Sequence, residues 1–348
     1  MQKKPRKLHG GDIYRHPGVI DFSVNTNPLG TPESVKRAVQ ESVAKIEHYP
    51  DVRCEALREA ISRFEQVNME EILCGNGAAE LFFAAVQAVW PQKALVIAPS
   101  FSEYEEALRS VGAEVEYYYL CEEDNFQIRE DYVDKLSEEI DMIFLCNPNN
   151  PTSSALNTEE ISKILAHCKK HNIVVIMDEC FLEFLDEPNR YEMSDLRGEY
   201  PNLLIIKAFT KIFSMPGLRL GYAISSNQDI LEEMSWKLQQ WNVSVPAQMA
   251  GVAALEKPKE YIRQTREYVS GQREYMRNIM KMMGYVVFAS KANYLFFKGR
   301  PGLEKEALEA GFLIRDCQNY EGLSEGFYRI AVRTKEENER LITWLGRL

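Results

Sequence analysis

Between about residues 70 and 225, short apolar runs alternate with amphipathic stretches. "EILCGNG" leads into "AAELFFAAVQAVW", and "KALVIAPS" leads into "FSEYEEALRSVG". "AEVEYYYL" follows, then a helical segment near 130–138. "IDMIFLCNPNNP" precedes "TEEISKILAHCKKHN", where Thr158 is the expected N-cap and Glu159 and Glu160 fill the first turn. Each run has strand length, and each stretch after it has helical spacing. "IVVIMDE" (173–179) shows no polar alternation, as expected of a strand covered on both faces. "NLLIIKAF" and "LRLGYAIS" complete the series. The pattern predicts an α/β fold with a mostly parallel sheet and helices on both faces.

After about residue 245 the texture changes. Long helices over about 246–283 precede the short strands "YVVFAS", "ANYLFFK" and "YRIAVR" and a final helix "EENERLITWLGRL". This predicts a small α+β domain over 246–348 beside a large domain over 25–245. Residues 1–24 form an N-terminal arm that belongs with the small domain and covers the site. There are no repeats, low-complexity tracts or long linkers.

The chain has 348 residues, 45% hydrophobic and 27% charged, which is ordinary for a globular protein. Its net charge of −11 repels nucleic acid and acidic membranes, so neither is an expected partner. The start "MQKKPRKLHGG" is basic with no apolar run behind it, which predicts a solvated tail around "KKPRK". Apolar stretches such as "LFFAAVQAVW" fall well short of the ~20 residues that span a bilayer. The cysteines at 54, 74, 121, 146, 168, 180 and 317 show no metal-binding spacing, so no metal site is expected. Free buried thiols and a cytoplasmic location fit them.

In doubly wound sheets, ligands bind beyond the carboxyl ends of the strands. "GNGAAE" (75–80) is a strand–turn–helix junction whose glycines, Gly77 among them, permit close approach. The amides of Ala78 and Ala79 would point from a helix N-terminus, which suits a phosphate as well as a plain tight turn. It lacks the third glycine of the dinucleotide fingerprint. "NPNNPT" (147–152) ends another strand with rigid, amide-rich chain. Asp178 follows "IVVIM" and needs a cationic partner, either a Lys or Arg or a protonated ring nitrogen. "KAFTKIFSMPGLRLGY" (207–222) supplies Lys211, a candidate imine-forming amine, and Arg219, which could fork onto a phosphate. With the aromatic Phe101, these groups supply what pyridoxal phosphate requires. They give a phosphate anchor, a ring stack, a contact to the phenolic oxygen, a partner for the pyridine nitrogen and a covalent lysine.

Over essentially its whole length the chain resembles the fold-type I pyridoxal-phosphate enzymes, in the class I/II aminotransferase branch. The resemblance implies an aspartate aminotransferase-like fold and pyridoxal 5'-phosphate as cofactor. It implies that Lys211 carries the cofactor covalently and that Asp178 partners the pyridine nitrogen. Asn150 would contact the phenolic oxygen and Phe101 would stack on the ring. Gly77, Ala78, Ala79, Thr210 and Arg219 would form the phosphate cup. Tyr49, in "HYPDV", resembles the tyrosine that family members extend across a homodimer interface to the neighbour's cofactor phosphate.

Two subfamilies are nearest, histidinol-phosphate aminotransferase and L-threonine-O-3-phosphate decarboxylase. "HGGD", "DFSVNTNPLG" (21–30), Phe181 in "DECFLEF", and "LIRDCQNYEGL" with "YRIAVRTKEEN" resemble the decarboxylase more. That resemblance implies a small phosphorylated amino substrate and a place in cobalamin side-chain synthesis. His9, Asn25 and Arg315 would handle the substrate phosphate and its surroundings, and Arg329 its carboxylate, with Asn150 also near the substrate. An aminotransferase remains the alternative, because orientation of the substrate selects which bond breaks. A non-catalytic cofactor-binding regulator is the third reading, and no basic helical appendage supports it. The chain departs from the branch at Ser153, where glycine is usual, at Ala208, where a hydroxyl is usual, and at Lys207, where arginine is common. Lys207 is expected to be non-catalytic, and the cofactor phosphate to lose one hydroxyl donor.

Overall fold

The computed structural model describes residues 9–193 and 196–348, so the basic tail at "KKPRK" lies outside the described residues. The chain begins with β1 (Ile20–Asp21), α1 (Glu33–Ser42) and α2 (Glu55–Glu65). It continues through β2 (Ile72–Gly75), α3 (Ala78–Val89), β3 (Lys93–Ala98), α4 (Ser102–Ser110) and β4 (Glu114–Tyr119). β5 (Met142–Cys146), α5 (Thr158–Lys170), β6 (Val174–Asp178), β7 (Leu203–Ala208), the one-turn α6 (Phe209–Ile212) and β8 (Gly221–Ile224) follow. α7 (Gln228–Lys237), α8 (Val245–Ala254) and α9 (Pro258–Met282) lead to a second unit. That unit holds β9 (Val286–Val287), β10 (Tyr294–Lys298), α10 (Leu303–Glu309), β11 (Phe312–Leu313), β12 (Arg315–Asp316), β13 (Phe327–Ala331) and α11 (Lys335–Leu345).

The large sheet has strand order β2-β8-β7-β6-β5-β3-β4. Only β8 runs antiparallel to its neighbours; the other pairings are parallel. Its strands alternate between two cores. Ile143 and Leu145 of β5 lie in the core on one face, which includes Ile161 of α5 and extends to Leu57 of α2. Met142 and Phe144 face Leu81 of α3 and Tyr104 of α4. Burial on both faces is why the central strands carry continuous apolar runs. Chain order reverses between β3 and β5, the kind of switch point at which such sheets bind ligands.

The second unit is an antiparallel sheet of order β12-β13-β10-β9. β1 pairs in parallel with β11, and Ala331 N donates to Phe22 O at 2.8 Å, so the N-terminal arm is sewn into this unit. Phe22 completes its core with Met276, Leu295, Phe297 and Leu341. α8 packs instead on α1 and α2 of the large unit. Gly251 lies so close to Leu57 and Leu220 that a Cβ would meet them at 2.5 and 2.6 Å. By packing, we propose the division at the 255–257 turn rather than at 245.

Three local expectations are corrected. The cap of α5 is Asn157, not Thr158: Asn157 Oδ1 accepts from Glu160 N at 3.0 Å and Glu160 Oε2 accepts from Asn157 N at 2.7 Å. The reciprocal box needs a Glu three residues past the cap, which only Asn157 has here. Thr158 Oγ1 donates to Arg190 O at 2.9 Å instead. The segment near 130–138 forms a 3-10 helix, Glu130–Lys135, with Tyr132 its buried anchor. "YVVFAS" is strand only at Val286–Val287. The Asn157→Ala variant is expected to lose about 1 kcal/mol of stability and Thr158→Ala clearly less, measured by urea unfolding.

Candidate active site

A cavity of about 400 Å³ lies between the two units at the carboxyl ends of the large sheet. Ala78, Ala79, Phe101, Asn150, Asp178, Thr210, Lys211 and Arg219 line it from the large unit. His9 and Asn25 line it from the N-terminal segment, and Arg315 and Arg329 from the second sheet. His9 and Arg329, 320 positions apart in the chain, thus line one cavity. Tyr49 does not line the cavity. It stands 77% exposed, its ring 4.5 Å from that of Trp241.

One wall is the start of α3. Gly77 has φ +85°, and a Cβ there would fall 2.5 Å from Arg219 Nη2. A Cβ on Gly221 would fall 2.7 Å from Ala78 N. These glycines let the guanidinium and the start of β8 approach the free amides of a twelve-residue helix. Exposed N–H groups, the helix dipole and an arginine together form an anion cradle. Thr210 adds a hydroxyl, whereas Ala208 lines the cavity without one.

Asp178 sits at the end of β6 and is buried. Burial pushes its carboxyl up, opposed by hydrogen bonds from Cys180 and Tyr104 and by the Lys211 charge. Cys180 N donates to Oδ1 at 2.9 Å, and the Tyr104 hydroxyl donates to Oδ2. Both carboxylate oxygens of Asp178 are therefore held in fixed directions, and these contacts oppose the effect of burial. Lys211 lies in the one-turn helix after β7. Burial, then the charges of Arg329 and Arg219, pull its amine down to about 8, against Cys180 and Asp178. Its Nζ lies 5.9 Å from the centre of the Phe181 ring and forms no ion pair among the described residues. A half-neutral lysine amine is a nucleophile and a proton carrier near pH 8.

Arg315 and Arg329 are directly opposed on β12 and β13, so both guanidiniums leave the same face. Like charges in directly opposed positions repel. Arg329 is 6% exposed; Nη2 donates to Ser23 O at 2.6 Å, Nη1 donates to Asn150 Oδ1, and the guanidinium rests over the Tyr294 ring. Arg315 donates to Asn319 Oδ1 at 2.8 Å and stacks over Tyr320 at 5.1 Å. His9 Nε2 lies 2.8 Å from Glu103 Oε1, with its ring 5.7 Å from that of Phe101. Asn25 Oδ1 and Arg329 Nε are buried without hydrogen-bond partners. Orphaned polar atoms, two opposed arginines and the cradle fit a ligand that is anionic at several points. With Lys211 and Asp178 between them, they fit pyridoxal phosphate and an anionic amine.

Sequence reasoning missed Tyr104, Glu103 and Tyr320. Tyr104 falls one helical turn after Phe101, a spacing that would have shown it; Glu103 and Tyr320 carry no such signal. Lys207 was expected only to be non-catalytic, and its surroundings carried no signal in the sequence. Lys207 is 3% exposed and pairs with Glu65 at 3.0 Å, Glu183 at 3.2 Å and Glu179 at 3.8 Å. Tyr222, opposite it on β8, donates to Glu65 as well. Burial opposes the charge, but the carboxylates outweigh it and hold the ammonium well above its usual range. Glu179 Oε1 accepts from Met193 N at 3.2 Å, while Oε2 has no hydrogen bond. Burial pushes its carboxyl from 4.5 up to about 8 in spite of Lys207.

Two measurements follow from this cluster. Lys207→Met removes the only cation paired with these carboxylates among the described residues and is expected to cost about 3–5 kcal/mol in urea unfolding. For Glu179, the carboxyl is protonated in both folded and unfolded chains below 4.5 and contributes nothing there. As pH rises to about 8 the unfolded chain loses this proton and the folded chain keeps it, so stability falls. Glu179→Gln is expected to flatten that part of the stability–pH curve. An unchanged slope would assign the proton elsewhere.

The sequence pattern of the family described as aminotransferase class I and II matches residues 17–345. A protein of Caldanaerobacter subterraneus subsp. tengcongensis, provisionally named a threonine-phosphate decarboxylase, is 38% identical over 96% of this chain and 92% of its own. A histidinol-phosphate aminotransferase of Desulfitobacterium hafniense is 35% identical over 100% and 97%. The crystal structure of L-threonine-O-3-phosphate decarboxylase from Porphyromonas gingivalis superposes with a TM-score of 0.84 at 26% identity, covering 94% of this chain and 99% of that one. The architecture is the expected aspartate aminotransferase-like fold. The chain belongs to the aminotransferase class I and II family.

Proposed function

We propose that the protein is a pyridoxal-phosphate enzyme that decarboxylates L-threonine O-3-phosphate to aminopropanol phosphate, a step of cobalamin side-chain synthesis. The observation that carries the reading is the opposed pair Arg315 and Arg329 facing Lys211 across one cavity. Two cations on neighbouring strands demand a ligand with two anionic groups, and an amino acid bearing a phosphate has both. The 38% identity to a protein of that name supports it over nearly the full length of both chains.

When bound, pyridoxal phosphate supplies an electron sink that weakens whichever substrate bond stands perpendicular to its ring. The chain supplies the rest. Lys211 would hold the cofactor, Asp178 would partner its pyridine nitrogen, and Phe101 would stack on its ring. Asn150 would contact the phenolic oxygen. The Ala78 and Ala79 amides, Thr210 and Arg219 would hold the phosphate, with Gly77 leaving room for it. Tyr49, exposed on this chain, would reach the same phosphate in a second copy of a homodimer. Arg329 forks onto the substrate carboxylate, held by Ser23 and Asn150 so that the carboxylate is turned with it. Arg315 and His9 take the substrate phosphate near Asn25. Lys211, its amine lowered to about 8, would in its ammonium form give the proton that takes the place of CO2 at the substrate Cα and become the neutral amine. Among the described residues no helix is long and apolar enough to cross a membrane, and we place the enzyme in the cytoplasm.

A second reading, histidinol-phosphate aminotransferase, is favoured by the 35% identical relative that this chain covers almost completely. Histidinol phosphate carries no carboxylate, so in that reading Arg329 has no partner on that substrate. The two separate in one assay. The protein with pyridoxal phosphate and phosphothreonine is expected to release CO2 and leave the cofactor in its aldehyde form. Lys211→Ala is expected to abolish the release. Arg329→Lys, losing the fork, is expected to lower kcat/KM by about 30-fold, the equivalent of one charge-assisted bond. Conversion of the cofactor to its amine form with histidinol phosphate, without CO2 release from phosphothreonine, overturns the proposal.

A further inference from the structure

Ser153 is fully buried with φ +61°, a left-handed conformation that glycine adopts freely and serine rarely does. Its place in the loop explains both facts. Ser153 N donates to Asn149 O at 2.7 Å, and Asn149 N donates to Ser154 O at 2.7 Å, closing the 149–154 turn that carries Asn150. The Ser153 hydroxyl leaves this turn for the second unit. Its oxygen accepts from Lys291 N at 2.9 Å and from Ala292 N at 2.8 Å, and shares a hydrogen bond with Ser290 Oγ at 3.1 Å. The carbonyls of the same two residues are taken from the other side by Arg273 Nη1, at 2.9 and 3.2 Å. One short loop thus has its amides held by Ser153 and its carbonyls by Arg273.

This loop leads directly into β10. Asn293 Nδ2 donates to Asn25 O at 3.1 Å, and Tyr294 OH donates to Asn149 O at 2.8 Å. β10 pairs with β13, which carries Arg329, and Arg329 donates to Asn150. The path closes on itself, from Ser153 through the 290–294 loop to β10, β13, Arg329 and back to Asn150. Without the hydroxyl, two amides at the unit boundary lose their acceptor. Glycine, which relieves the backbone, cannot replace it.

We propose that Ser153 is a positioning residue: its hydroxyl fastens the 290–292 loop to the Asn150 turn and so fixes Arg329 relative to Asn150. The consequence for substrate rests on the roles given above to Arg329 and Asn150; the fastening itself does not. Ser153 acts through these residues and does not line the cavity.

The test uses Ser153→Gly on the full chain, which removes the hydroxyl and the backbone strain together. Hydrogen exchange of the Lys291 and Ala292 amides in the cofactor-free protein is expected to accelerate at least 10-fold. For the substrate that the assay accepts, KM is expected to rise several-fold with a smaller fall in kcat. Ser153→Ala, which keeps the strain, is expected to match Ser153→Gly in exchange at these amides and to unfold at lower temperature. Unchanged exchange in Ser153→Gly with a raised melting temperature overturns the proposal and leaves Ser153 a strained replacement for glycine. Accelerated exchange with unchanged kinetics upholds the fastening and overturns its link to Arg329, whichever substrate is correct.

Discussion

Opposite charges are withdrawn from water at the ends of adjacent strands, and the site depends on how each is compensated. Burial acts in opposite senses on an acid and an amine: it drives Asp178 up and Lys211 down. For Asp178 the fold supplies a tyrosine hydroxyl and a backbone amide, which favour the ionised form. For Lys211 it supplies two arginines, which favour the neutral form. The bias on each group is thus set by its neighbours and not by the residue type alone.

The second unit contributes Arg315 and Arg329, and their placement in register brings like charges together, which an anionic ligand would relieve. Arg315 and Arg329 repel across β12 and β13, while Asn319, Tyr320, Asn150, Ser23 and Tyr294 hold them in place. Rigidity of this kind is what distinguishes reactions at one Cα. On the proposed reading, decarboxylation and transamination would use the same lysine and aspartate and differ in which bond is held perpendicular to the ring. The groups that turn the substrate, and those that hold these groups, therefore carry the specificity.

Much of this was legible in the chain. Asp178, Lys211, Asn150 and the GNGAAE turn each end a strand-length apolar run, and strand ends in a parallel sheet meet at one edge. Local patterning places such residues without knowledge of the tertiary fold. Tyr104 escaped because its role is a single hydrogen bond from a helix that reads as ordinary core. The cap of α5 was misplaced by one residue because Asn157 and Thr158 are both good caps, and the choice rests on the reciprocal bond from Glu160. The surroundings of Lys207 were not legible because its partners at positions 65, 179 and 183 come together only in the folded chain.

Lys207 and Lys211 make the physical point most directly. They lie four residues apart, Lys207 buried and Lys211 half-buried on the cavity wall, and their side chains are the same. Lys207, in the strand, meets Glu65, Glu183 and Glu179, and its proton is held more tightly than in water. Lys211, one turn later, meets Arg329 and Arg219, and its proton is loosened to about 8. Desolvation opposes the charge on both, so it cannot separate them; the sign of the neighbouring charges does. The fold places a fixed structural cation and a reactive amine within one five-residue segment by turning them toward carboxylates and guanidiniums respectively.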